Sequence, residues 1–136
     1  RKLLDSGDSA RAAVRMLKKG YEFGKGKVHG HADHYHYAHV LRNSILRDSA
    51  ATDIALRRSI AGWISGGPPL RAPFDELVMR ISLAPYQVTD SLINNVVKEL
   101  GNEKAAFEVV VTAAVFAGLH RWDMGCMILK EVTKGA

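Results

Sequence analysis

Residues 102–133, NEKAAFEVVVTAAVFAGLHRWDMGCMILKEVT, form the longest apolar stretch of the chain, interrupted only by Gly118 and Gly125. The pattern predicts one long helix, with either glycine as the place for a bend. From residue 105 to residue 119 almost every face of that helix is apolar. A helix apolar nearly all round is normally buried, so the remaining helices are expected to wrap it. A chain of 136 residues is long enough for one compact domain with a sizeable core and no covalent staples.

The rest of the chain reads as shorter helices joined by short connections. Residues 9–19 carry a modest stripe of Ala10, Ala13, Val14 and Leu17, with Asp8 or Ser9 as cap and Gly20 as stop. Residues 20–30, GYEFGKGKVHG, hold four glycines and read as a loop. This is no phosphate loop, because the GxxxxGK[ST] spacing and a preceding apolar strand are both missing. Residues 32–46 place Tyr37, Val40, Leu41, Ser44 and Ile45 on one helical face, and residues 48–51 form a break. Residues 53–65 put Leu56, Ile60, Trp63 and Ile64 on a core stripe, with Thr52 as cap and Arg57, Arg58 and Ser59 facing elsewhere. The run Gly66-Gly67-Pro68-Pro69 ends that helix. Residues 73–83 begin with a proline in the first turn and turn Phe74, Leu77, Val78 and Ile81 inward. Pro85 to Val88 connect to residues 89–100, capped by Thr89, with Leu92, Ile93, Val96, Val97 and Leu100 inward and Gly101 as stop. Asn102 then caps the long helix. No segment alternates with the period of a strand. The expected architecture is all-α: a single-domain bundle of about six helices around the long C-terminal one.

Charge and cysteine usage narrow the surroundings. Residues 1–71 carry 13 of the 19 Lys and Arg and only 6 of the 14 Asp and Glu. A basic half can attract nucleic acid or an acidic partner, but its charges are scattered, and a solvated surface is the simpler account. One cysteine allows no internal disulfide, which fits a reducing compartment. No run of membrane-spanning length is free of charges: residues 105–119 are too short and carry Glu108. The opening RKLLDSGDSARAAVR is polar and has no signal-peptide pattern. These features together point to a cytoplasmic protein without a membrane partner.

The C-terminal part, APYQVTDSLINNVVKELGNEKAAFEVVVTAAVFAGLHRWDMG, resembles the second half of the alkylhydroperoxidase D-like superfamily, which includes the carboxymuconolactone decarboxylases. The residues that carry the likeness are Tyr86, Val88, Thr89, Asp90, Gly101, Phe107, Glu108, Val109, Val110, Leu119, His120 and Arg121, with His120 standing where Asn is usual. The upstream LRDSAATDIALRRSIAGW is similar to a subset of the same proteins, so the resemblance covers about residues 46–130. It implies an all-helical fold, assembly into homo-oligomers and, in active members, a redox or acid/base site. The peroxidase branch carries Glu-x-x-Cys-x-x-Cys-x-x-x-His, two thiols with a proton relay. This chain has no Cys-x-x-Cys. Cys126 lies in the final helix, where the family motif does not. Asp123 and Cys126 have the acid-x-x-Cys spacing, but Leu129 and Lys130 follow where Cys or His is needed. A resolving thiol is therefore missing within one chain.

Three constellations remain as candidate sites. His29, His31, His34, His36 and His39 cluster within KVHGHADHYHYAHV. Imidazole is the commonest transition-metal ligand, which makes His31, His34, His36 and His39 candidate metal ligands. The spacing matches no standard signature, however, and the pairs His31/His34 and His36/His39 point to different sides of one helix. Exposed or interface histidines are the simpler reading. His120-Arg121-Trp122-Asp123 is the second constellation, where the long helix loses its all-round apolar character. His120 is a candidate acid or base, Arg121 a carboxylate ligand and Trp122 a stacking surface. Glu108 is the third. A carboxylate on so apolar a stretch faces solvent or finds a partner, and with no cation near it its pKa rises. Cys126 reads as a small apolar residue. The expected function is an oligomeric member of this superfamily without the peroxidase cysteines, either small-ligand-binding or non-catalytic, with no cofactor, a transition metal at the histidines being the one candidate. The alternatives are an enzyme of the same fold using His/Glu acid-base or metal chemistry, and a basic helical module for nucleic acid or an acidic partner.

Overall fold

The computed structural model describes residues 34–134, and among them every regular element is helical. In chain order these are α1 (His34–Arg47), α2 (Ile54–Ile64), α3 (Phe74–Leu83), a single 3-10 turn (Pro85–Gln87), α4 (Asp90–Leu100) and α5 (Glu103–Lys134). Five α-helices are thus seen, with the longest last. The helix expected over residues 9–19 and the glycine-rich loop lie outside the described residues. The chain divides into two compact units: Val40–Arg121 is one, and residues 34–39 and 122–134 are the described part of the other.

Local chemistry accounts for the boundaries in Val40–Arg121. Asp53, not Thr52, caps α2: its side chain accepts the Ala55 amide at 3.1 Å, as N-cap carboxylates do. After α2 the Gly67 amide reaches back to the Gly62 carbonyl at 2.8 Å. A Cβ at Gly67 would lie 2.7 Å from that oxygen, so the close approach requires glycine. The Thr89 hydroxyl accepts the Leu92 amide at the start of α4. Gly101 closes α4 with φ of 67° and donates its N–H to the Val97 carbonyl, the left-handed stop that glycine makes cheaply. Asn102 caps α5 through the Lys104 amide at 2.8 Å. Only two residues therefore separate α4 from α5.

The core of this unit joins Ile60 of α2, Phe74, Leu77, Val78 and Ile81 of α3, Val96 of α4, and Ala106, Val109 and Ala113 of α5. The inward faces expected for α2, α3 and α4 are the ones that pack. The long helix departs from expectation. Ala105, Ala106, Val109, Thr112, Ala113, Phe116 and Ala117 are buried, and they fall on one side at helical spacing. Phe107 is 66% exposed, and Ala114 and Gly118 are also exposed. The other helices cover one face of α5 and leave an apolar one uncovered. By length and composition α5 could cross a membrane, a property that core helices of soluble proteins share. The formed helix is longer than the 105–119 run judged too short from sequence.

Helix α1 also departs from expectation. It buries no residue, and Tyr37, Val40 and Leu41 of its predicted inward face are exposed. Arg57, expected to face away from the core, is 3% exposed. In the smaller unit Leu129 is the buried anchor at 5% exposure. There the Tyr35 ring meets Trp122 edge-on, with centroids 6.4 Å apart, and the Tyr35 hydroxyl lies 3.9 Å from Cys126 Sγ.

Candidate functional site

The turn from α1 to α2 is built by two charged side chains that sequence reasoning treated separately. Arg57, one turn into α2, reaches back with Nη1 to the Ile45 carbonyl and with Nη2 to the Asp48 carbonyl. These oxygens lie at the C-terminal end of α1, where unpaired carbonyls and the negative pole of the helix favour a cation. Arg58 adds a bond from Nε to the Leu46 carbonyl at 3.2 Å. Glu108 comes from α5 to the other side of the turn. Its Oε1 accepts the Ala51 amide at 2.9 Å, and its Oε2 accepts the Thr52 amide and hydroxyl, both at 2.7 Å. These donors precede α2, where helix geometry favours an anion. A guanidinium thus closes one helix and a carboxylate opens the next.

This arrangement decides the state of Glu108. Its partial burial pushes the pKa up. The Ala51 amide, the Thr52 hydroxyl and amide, and the Arg57 charge outweigh that and hold the carboxyl below its ordinary value. The condition for a raised pKa, an absent cation, is not met. A carboxylate held ionised by three donors is a weak proton acceptor at neutral pH. The geometry makes Glu108 an anchor for residues 51 and 52.

Two cavities flank the clasped turn. The larger, about 560 Å³, is an open cleft with Ala51, Thr52 and Asp53 on one side. Leu56, Leu70 and Leu100 give it apolar surface, Phe74 lies buried beneath them, and Arg71 and Asn102 are polar groups lining it. The smaller, about 370 Å³, lies on the Glu108 side, where Arg57 and Thr112 join Ile45, Phe107 and Val111. Residues 48–52 separate the two, so Glu108 fixes a wall of the larger cleft from behind. Arg71 is held at the cleft by a 2.7 Å ion pair with Glu99, and its guanidinium carbon stands 4.9 Å from the centre of the Phe74 ring.

The other expected site residues do not converge in this way. His120 is exposed on α5. Arg121, expected to bind a carboxylate, donates from Nη2 to the Ser82 carbonyl near the end of α3. Trp122, at 39% exposure, meets Tyr35 in the edge-on contact. His34, His36 and His39 are exposed on α1, with the His36 and Tyr37 rings 5.7 Å apart. His31 lies outside the described residues. Among the described residues no three His, Cys, Asp or Glu side chains come close enough to form a metal-binding group. Cys126 is a free, half-buried thiol.

Sequence reasoning missed the cleft. Its residues come from the turn before α2, α2 itself, residues 69–71, the start of α3 and the α4–α5 junction, and no motif ties them together. Arg71 gave one local signal: a lone cation after a Gly-Gly-Pro-Pro run and beside an aromatic core residue. No family model, curated protein or solved structure matches the chain.

Proposed function

We propose that this chain is a small-molecule-binding, homo-oligomeric protein of the alkylhydroperoxidase D-like type that works without thiol redox chemistry. The observation that carries the binding reading is the cleft of about 560 Å³ bounded by α2, α3 and the α4–α5 junction. Its volume is in the range of small-ligand sites, and it joins apolar surface to a few fixed polar groups, as such sites do. The family reading rests on residues 46–130 and their likeness to that superfamily. The single half-buried Cys126, with no second thiol in the chain, supports a role outside dithiol chemistry.

The test is a thermal-shift screen with small organic acids, amines, zwitterions and neutral aromatics, run on the wild type and on Ser59→Trp. Ser59 is exposed on α2 and lines the cleft, so an indole there fills the space without disturbing the core. A ligand at ten times its Kd raises stability by about 1.4 kcal/mol, a shift of several degrees. At least one class should stabilise the wild type and leave Ser59→Trp unmoved. Equal shifts in both proteins would place binding elsewhere and refute the reading. A parallel assay with hydroperoxide and a dithiol donor should show no turnover above background, and none that Cys126→Ala removes.

A further inference from the structure

The cleft carries two charged side chains of opposite sign, Asp53 and Arg71, and each is half used. Asp53 is fixed as the cap of α2 by one bond, from the Ala55 amide to Oδ1. Its second carboxylate oxygen has no protein partner among the described residues. Arg71 is fixed at two points, by Nη1 on Glu99 and by the Phe74 face under its guanidinium. Its Nε and Nη2 have no protein partner among the described residues. Both groups have a partner that orients them toward the cleft and keep an edge to offer a ligand. An anionic ligand would gain from Arg71 and be opposed by Asp53, and a cationic ligand the reverse. A ligand with both charges satisfies both, while Leu56, Leu70 and Leu100 cover an apolar body.

Resting on the reading of this cleft as a ligand site, we propose that it binds a zwitterion with an apolar body, of which an α-amino acid with a large apolar side chain is the simplest case. The ammonium pairs with Asp53 and the carboxylate with the free edge of Arg71, a planar fork suited to carboxylates. The side chain lies against Leu56, Leu70 and Leu100.

Three probes that share a phenyl ring and differ in charge test this: L-phenylalanine, 3-phenylpropionate and phenethylamine. Each is titrated into the full chain while the backbone amide spectrum is followed. Phenylalanine should bind with shifts centred on residues 51–56, 70–74 and 100–105, and the other two at least about tenfold more weakly. Asp53→Asn keeps a capping side chain and removes the charge, so it should weaken phenylalanine about tenfold and leave 3-phenylpropionate no weaker. Arg71→Gln gives up an exposed ion pair of small structural worth. It should also weaken phenylalanine about tenfold and leave phenethylamine no weaker. Binding of either singly charged probe as tight as that of phenylalanine overturns the zwitterion proposal and leaves the ligand cleft standing. Absence of all three from the cleft overturns it as well, and the Ser59→Trp screen then decides the broader reading separately.

Discussion

Glu108 and Arg57 are the two side chains on which the α1–α2 turn depends, and each gives a distinct stability signature. Glu108→Ala removes the acceptor for three donors at residues 51 and 52, a loss comparable to that of a helix cap, about 1–2 kcal/mol, readable as a lowered denaturation midpoint. Because the folded pKa of Glu108 is lowered, its ionised form contributes stability in full above the unfolded value of about 4.3. That contribution is lost as pH falls through the folded value. The gap in Tm between wild type and Glu108→Gln should therefore narrow between pH 7 and pH 3, and a constant gap would contradict this account of the bond set. Arg57→Met leaves the Ile45 and Asp48 carbonyls without their guanidinium donor and should cost about 2–4 kcal/mol. The sequence showed that Glu108, on so apolar a stretch, must face solvent or find a partner. It did not show which, because the donors lie 56 and 57 residues away and belong to a backbone turn with no signature. Arg57 was misread for a related reason. It is flanked by Arg58 and Ser59 on the polar side of a clear stripe, and only the carbonyls at the end of α1 make burial of its charge affordable.

Helix by helix, the sequence was legible where a cap or a stop is a local matter. Thr89, Gly101 and Asn102 mark their boundaries through bonds to residues two to four positions away. Thr89→Ala should cost about 1 kcal/mol, and Gly101→Ala, forcing an alanine to φ of 67°, a similar amount. Both are measured as shifts of the urea midpoint. The stripes of α2, α3 and α4 were also read correctly, since a 3.6-residue period needs no partner to be seen. Phe74, fully buried at the junction of core and cleft, is the most expensive truncation: Phe74→Ala should lose about 3–5 kcal/mol. What was not legible is how many partners a helix finds. The all-round apolar stretch of α5 implied burial on every side, and the structure covers one. The predicted inward face of α1 is likewise mostly exposed, with only Ile45 half-buried, although its periodicity is sound. Periodicity identifies a face and does not supply the surface that covers it.

Taken as a whole, the molecule keeps a well-packed core in Val40–Arg121, a cleft on one side of the clasped turn, and exposed apolar residues on α1 and α5. Exposed large side chains such as Phe107, Met127 and Ile128 fit the proposed homo-oligomer, since such surface is covered in assemblies. Light scattering should give a mass above that of one chain, and Phe107→Glu should lower it without unfolding the protein. The central claim concerns the cleft, and the most direct measurement is amide-resolved NMR of the tag-free chain titrated with the best ligand of the small-molecule screen. The account predicts saturable shifts confined to residues 51–59, 69–74 and 100–105, abolished in Ser59→Trp. Saturable shifts centred on His36, His39, His120 and Trp122 instead, or unchanged in Ser59→Trp, would contradict it.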